Sequence, residues 1–233
     1  VTLDIFEYWR GVPGEARVHP KDLEVLGRLV NATLADCPFD LGCLPLPWGG
    51  PLRTARVVLL FLNPGLSAQD HLDAGDLNAQ FRYFQARSGY SPLLGPDEHR
   101  PAWEWWEERT RIFGEWRHLR DKIAYLNMCP YHSSQMTDYT YLAALPSSRA
   151  CLGWAQDILF PQAERGERVV ICLRSSRYWG LRSPQRYGLG LFAPAVQRRG
   201  AITHASAPGV DRNTIVAAVR AAIERPPFNG ITD

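Results

Sequence analysis

The sequence predicts one α/β domain, a three-layer sandwich in which helices cover both faces of a central, mainly parallel, four-stranded sheet. Three observations carry that expectation. The runs "RVVLLFL" from Arg56, "KIAYLN" from Lys122 and "RVVICL" from Arg168 are nearly all apolar, which suits strands buried on both faces. Helical patterns separate them, as parallel crossovers require. The first two runs also stop abruptly in polar turn residues, Asn63-Pro64-Gly65 and Asn127-Met128-Cys129-Pro130. Open α/β sheets bind their ligands just beyond such strand ends.

The elements follow in order. From Pro20, "PKDLEVLGRLVNATL" spaces Leu23, Leu26, Leu29 or Val30, and Leu34 as an amphipathic helix, and a Pro-rich loop continues to Pro51. Residues 1–51 thus read as a helical and loop extension packed on a single domain that spans 1–233. After strand one, at about 56–62, "LNAQFRYFQARSGY" reads as a short aromatic helix ending near Gly89. "PAWEWWEERTRIFGEWRHLRD" opens with Pro101 at a first helical position and continues as a Trp-rich helix. Strand two is "KIAYLN". "PSSRACLGWAQDILFPQAE" has a Ser cap and helical spacing, and "RVVICL" is strand three. "RRGAITHASAPGVDRNTIVAAVRAAIE" supplies a short fourth strand, a loop from His204 and a last helix from about Asp211.

Composition bounds the function. No apolar run approaches the roughly 20 residues that cross a bilayer. The start "VTLDIFEYWRGVPG" lacks the basic segment and apolar core of a secretory signal, so a cytoplasmic monomer with no membrane partner is expected. The net charge of +2 conceals an asymmetry: residues 165–225 hold 11 Arg, no Lys and 3 acidic residues, a net of +8. Arginine grips phosphates bidentately, so a basic C-terminal third points to a phosphate-bearing partner or, more plainly, to a solvated surface. Five cysteines in a reducing compartment are not expected to form disulfides, and Cys172 within "RVVICL" reads as a core residue. No tight His/Asp/Glu ligand spacing appears, and "NPGLS" is a poor phosphate-binding glycine loop.

The polar strand exits are Asn63-Pro64-Gly65, Asn127 with Cys129-Pro130-Tyr131-His132, and His204-Ala205-Ser206. As "FLNPG", "YLNMCP" and "HAS" in this order, over about 52–222, they resemble the uracil-DNA glycosylase superfamily. "LNPGLS" with "LNAQFRYFQARSG" is similar to the mismatch-specific branch, and "NMCP" with a terminal His to the single-strand-selective monofunctional branch. Two positions depart from the family pattern: Phe61 stands where Gly is usual, and Ala205 where Pro is usual.

The resemblance implies a monofunctional DNA glycosylase acting in base excision repair on DNA that carries uracil or another deaminated base. The base is flipped from the stack into a pocket. Asn63 would hold the attacking water and His204 would donate a hydrogen bond to the uracil O2 as charge develops there. Asn127 would read the base edge, accepting from N3–H and donating to O4. An amide discriminates this way only if neighbouring contacts prevent its flip. Phe81, Tyr83 or Phe84 would stack on the base. Gly65 stands where the most uracil-strict branch has Tyr, which implies a broader pocket open to hypoxanthine, xanthine or an oxidised pyrimidine. Ser206 would bind a DNA phosphate, Val210 or Arg212 would wedge the gap, and Arg174, Arg177, Arg198 and Arg199 would contact the backbone. Lys21 and Lys122 are the only lysines and neither lies in a motif, which argues against Schiff-base chemistry.

The cysteine pattern also resembles the iron-sulfur branch, with Cys37, Cys43, Cys129 and Cys151 as ligands of a [4Fe-4S] cluster. Five residues separate the first pair where that branch has two, so buried cysteines with no metal and no cofactor are expected. The rival function is a catalytically silent DNA-binding relative, which Phe61 and Ala205 favour. A glycosylase specific for hypoxanthine or xanthine is the other alternative.

Overall fold

The structure is a computed structural model, and it describes residues 3–32, 38–136, 138–195, 200, 202 and 207–229. In chain order the elements are α1 (Ile5–Arg10), α2 (Leu23–Ala32), β1 (Trp48–Gly49), β2 (Val57–Phe61), α3 (Ala68–Gly75), α4 (Leu77–Ala86), α5 (Arg100–Thr110), α6 (Trp116–Leu119), β3 (Ile123–Asn127), α7 (Thr140–Ala144), α8 (Pro146–Trp154), α9 (Phe160–Glu164), β4 (Val169–Cys172), β5 (Gln185–Tyr187), β6 (Leu191–Ala193) and α10 (Arg212–Ile223). The chain divides into two compact units: Val1–Trp48 with Leu62–Ser88 and Asn127–Trp154, and Gly49–Phe61 with Gly89–Leu126 and Ala155–Asp233. The segment read as an N-terminal extension therefore shares a unit with the chain leaving β2 and β3.

The sheet belongs to the second unit, save for the terminal residues Trp48 and Asn127. It is α/β as expected, but it has six strands where the sequence predicts four, in the order β1-β3-β2-β4-β6-β5. β2 and β4 run parallel, as do β4 and β6, while β5 is antiparallel to β6, so the sheet is mixed. The extra strands are too short for periodicity to reveal: β1 has two residues, and β5 and β6 three each. β6 takes the place beside β4. Of the fourth strand expected near Ile202, most residues lie outside those described.

Every residue of β2, β3, β4 and β6 is buried, which explains their unbroken apolar sequence. In the same unit Phe61, Trp105, Trp106 and Tyr125 form an aromatic cluster, with Trp106 stacked on Tyr125 at 4.3 Å and Phe61 edge-on to Trp105 at 5.0 Å. Gly49 admits the Tyr125 ring: a Cβ there would lie 2.3 Å from it. α10 begins where the sequence predicts. Its cap Asp211 accepts from the Thr214 N–H at 3.0 Å, and Ile215, Val219, Ala222 and Ile223 form its buried stripe. Arg168 is wholly buried. Its guanidinium donates to the carbonyls of Leu52 and Arg53 at 2.8 and 2.6 Å and lies over the Phe228 ring at 4.1 Å.

The first unit is helical. Phe6 of α1 packs edge-on against Trp48 at 5.1 Å and Trp154 at 5.8 Å. A buried polar chain fixes its loops: the Tyr131 hydroxyl donates to Asp22 at 2.6 Å, and the other Asp22 oxygen accepts from the Ser147 N–H at 2.9 Å. That arrangement satisfies a fully buried carboxylate with short hydrogen bonds.

Candidate active site at the exits of strands two and three

All the contacts below lie within the first unit. The chain leaving β2 and the chain leaving β3 are stitched together, with Cys129 N–H donating to the Leu62 carbonyl at 2.7 Å and Ser133 N–H to the Pro64 carbonyl at 3.2 Å. The structure thereby brings together the first two of the three polar motifs. The third, with His204, Ala205 and Ser206, lies outside the described residues, as do Arg198, Arg199 and Cys37.

Asn63 is half-buried. Its Nδ2 donates to the Pro64 carbonyl and the Ser133 hydroxyl, each at 2.8 Å, with the Tyr131 carbonyl at 3.4 Å. The nitrogen end of the amide is committed to the protein. Among the described residues Oδ1 has no partner, so an acceptor oxygen is the atom the motif presents.

Asn127 is 3% exposed. Its backbone N–H donates to the Pro47 carbonyl, its carbonyl accepts from the Cys151 thiol at 3.2 Å, and Nδ2 donates to the Leu46 carbonyl at 2.8 Å. A carbonyl can only accept, so the Leu46 contact fixes which end of the amide is nitrogen. Among the described residues one N–H of Nδ2 and both lone pairs of Oδ1 remain. The Leu46 contact fixes the amide's orientation, and sequence reasoning missed it because a main-chain oxygen carries no residue identity.

His132 was also missed as a site residue. It is buried, and its Nδ1 faces the Gly65 carbonyl at 2.6 Å while Nε2 faces the Leu44 carbonyl at 3.1 Å. The Asp70 carboxylate stands 3.7 Å from Nδ1. His132 thus fastens the Gly65 turn to the loop before β1.

The aromatic candidates separate. Tyr83 is buried against Leu44 and Ala74 and belongs to the core, whereas Phe81 and Phe84 on α4 are 60% and 46% exposed. Gly65 is exposed, with nothing within 4 Å of where a Cβ would stand. In the second unit Arg174 and Arg177 are exposed and Arg212 is half-buried. Val210 is 1% exposed, and a residue so enclosed cannot act as a wedge.

The thiols assigned by resemblance to a cluster divide. Cys129 and Cys151 are buried close enough that each affects the other electrostatically. Cys43 instead faces His71 Nδ1 at 3.8 Å and Asp40 at 4.0 Å. Burial first, then the Asp40 and Asp70 carboxylates, push the Cys43 thiol up to about 12. A cage shared with Cys129 and Cys151 would require Cys43 to leave these partners, so the donors do not fit one as arranged. Asp40, Cys43 and His71 stand together, one ligand-type atom from each within 4.8 Å of the others, a grouping that sequence spacing did not reveal.

No helix among the described residues is long and apolar enough to cross a membrane. Comparison with protein-family models, with curated proteins and with solved structures finds no match to the chain.

Proposed function

We propose that the chain is a monofunctional DNA glycosylase that removes uracil, or a related deaminated base such as hypoxanthine or xanthine, from DNA. The observation that supports the reading most is the pair of strand-exit carboxamides, Asn63 and Asn127, each with Nδ2 tied to fixed acceptors. Both amides are held in one orientation before any ligand arrives, as pre-organised polar recognition requires.

In the proposed reaction Asn127 accepts from the base N3–H through Oδ1 and donates to O4 through its remaining Nδ2–H. Cytosine presents the reverse pattern, and the Leu46 carbonyl prevents the flip that would accommodate it. Asn63 Oδ1 accepts from a water and aims its oxygen at the sugar carbon C1′. The bond from C1′ to the base nitrogen breaks with its electron pair on the base, the water oxygen bonds to C1′, and the water's proton passes to solvent or to the departing base. Asn63 cannot take that proton, so the rate depends on stabilising the anionic base, which is the part His204 plays. Phe81 or Phe84 stacks on the flipped base, and open space at Gly65 accommodates rings larger than uracil. Ser206 and the exposed arginines Arg174 and Arg177 hold the phosphate backbone.

Base release from end-labelled oligonucleotides tests the proposal, with uracil, hypoxanthine or xanthine placed in single strands and opposite each base, followed by alkali cleavage. Cleavage at one lesion that requires Asn63 is expected. Salt-sensitive DNA binding with no release from any lesion would instead favour the silent DNA-binding relative.

A further inference from the structure

Asp40, Cys43 and His71 come from two stretches of chain in the first unit: the loop before β1, and the second turn of α3. His71 Nε2 lies 3.1 Å from Asp40 Oδ2, Cys43 Sγ lies 3.8 Å from His71 Nδ1, and Asp40 Oδ1 lies 4.0 Å from Cys43 Sγ. In a tetrahedral zinc centre with bonds of about 2.0–2.3 Å, neighbouring ligand atoms stand roughly 3.2–3.7 Å apart. These distances involve both imidazole nitrogens and both Asp40 oxygens; taking one ligand atom from each residue, the three lie within 4.8 Å of one another, wider than that range by an amount that a side-chain rotation closes.

We propose that Asp40, Cys43 and His71 bind one divalent transition-metal ion of the zinc class through a carboxylate oxygen, a thiolate sulfur and an imidazole nitrogen. This goes beyond the glycosylase reading and does not depend on it. One oxygen, one sulfur and one nitrogen donor select zinc or cobalt over magnesium or calcium, which prefer all-oxygen shells. The thiolate and carboxylate together neutralise the dication. On binding, the Cys43 S–H gives its proton to solvent and the sulfur lone pair forms the metal bond.

The surroundings prepare the ligands. Gly42 N–H donates to Asp40 Oδ1 at 2.9 Å, and the Asp40 N–H donates to the His132 carbonyl at 2.8 Å, so the carboxylate is oriented from both its side chain and its backbone. Gly42 also leaves the space: a Cβ there would meet Asp40 Oδ1 at 3.0 Å and the His71 ring at 3.5 Å. His71 follows the α3 capping box, in which Asp70 accepts from the Ser67 N–H at 2.6 Å and the Ser67 hydroxyl at 2.7 Å. The imidazole shows Nε2 to Asp40 and Nδ1 to Cys43, and a metal takes one of them after a rotation that a half-exposed side chain can make. Cys43 is enclosed at 2% exposure, whereas the side chains of His71 and Asp40 are 50% and 30% exposed. The ion is thus anchored on a buried sulfur and open to solvent on one side, where water completes the fourth position.

The full chain, stripped of metal with a chelator, is titrated with Co²⁺ and then with Zn²⁺. One equivalent of Co²⁺ is expected to give a sulfur-to-cobalt charge-transfer band with strong tetrahedral d–d bands, and Zn²⁺ to bleach both. C43S is expected to lose the charge-transfer band. H71A, a change at a half-exposed position that leaves the fold testable, is expected to weaken binding by more than roughly tenfold and to abolish the thermal stabilisation Zn²⁺ gives the wild type. Absence of the band in the wild type, or a band and affinity unchanged in H71A, would overturn the site.

Discussion

The side-chain nitrogen of Asn127 donates to the carbonyl oxygen of Leu46 at 2.8 Å, and this contact fixes the direction in which the amide points its oxygen. Asn127→Ala removes both the acceptor and the donor that the proposed reading assigns to the base. Two neutral hydrogen bonds lost at about 0.5–1.5 kcal/mol each lower kcat/KM on uracil-containing DNA by roughly ten- to a hundredfold. Affinity for undamaged DNA is expected to be unchanged. Steady-state base release and fluorescence anisotropy measure the two quantities.

The Ser133 hydroxyl holds Asn63 by accepting from its Nδ2 at 2.8 Å. Ser133→Ala removes one of the two 2.8 Å bonds that orient the Asn63 amide. Loss of about 1 kcal/mol of positioning lowers kcat about fivefold while KM is expected to stay constant. A rise in KM alone would show that Ser133 serves binding instead.

His19 gives a pH dependence of stability. Its Nδ1 accepts from the Lys21 N–H at 3.1 Å and its Nε2–H donates to the Tyr8 carbonyl at 3.1 Å, an arrangement that uses the neutral ring. Burial holds its pKa below the ordinary value of 6.5, outweighing the Tyr8 carbonyl and Asp22. The unfolded chain therefore binds the proton first on acidification. The stability contributed by neutral His19 is present above pH 6.5 and is lost as pH falls from there through the lowered folded value. The urea midpoint is expected to drop between pH 7 and pH 5 in the wild type and to drop less in His19→Gln.

Arg168 is the structural cation of the sheet unit. Arg168→Met leaves the buried carbonyls of Leu52 and Arg53 without their charged donor and destabilises the chain by about 3 kcal/mol. Denaturant titration checks the figure, and a loss within 0.5 kcal/mol, about that of a surface change, would contradict it.

What the sequence makes legible follows from how far each signal reaches. β2, β3 and β4 are buried on both faces, so their apolar runs stand out, and the Asp211 cap and 3.6-residue stripe place α10 correctly. β1 and β6 are too short to leave a period, which is why the sheet is broader than expected. Asn63 and Asn127 are visible as residues at strand exits. The contacts that orient them, to Leu46 and to Ser133, depend on tertiary approach across loops. Asp40, Cys43 and His71 are hidden for the same reason, because the thiol and the imidazole stand 28 positions apart in the chain. Tyr83, Phe81 and Phe84 were indistinguishable in sequence, and only packing separates the core ring from the two exposed ones.

The most direct test of the central claim is single-turnover base release from uracil-containing DNA by the wild type, Asn63→Ala and Asn127→Ala at matched DNA occupancy. Release by the wild type, a large loss of rate in both variants and unchanged binding are expected. Equal rates in all three proteins, or no release by the wild type at saturating DNA, would contradict that claim.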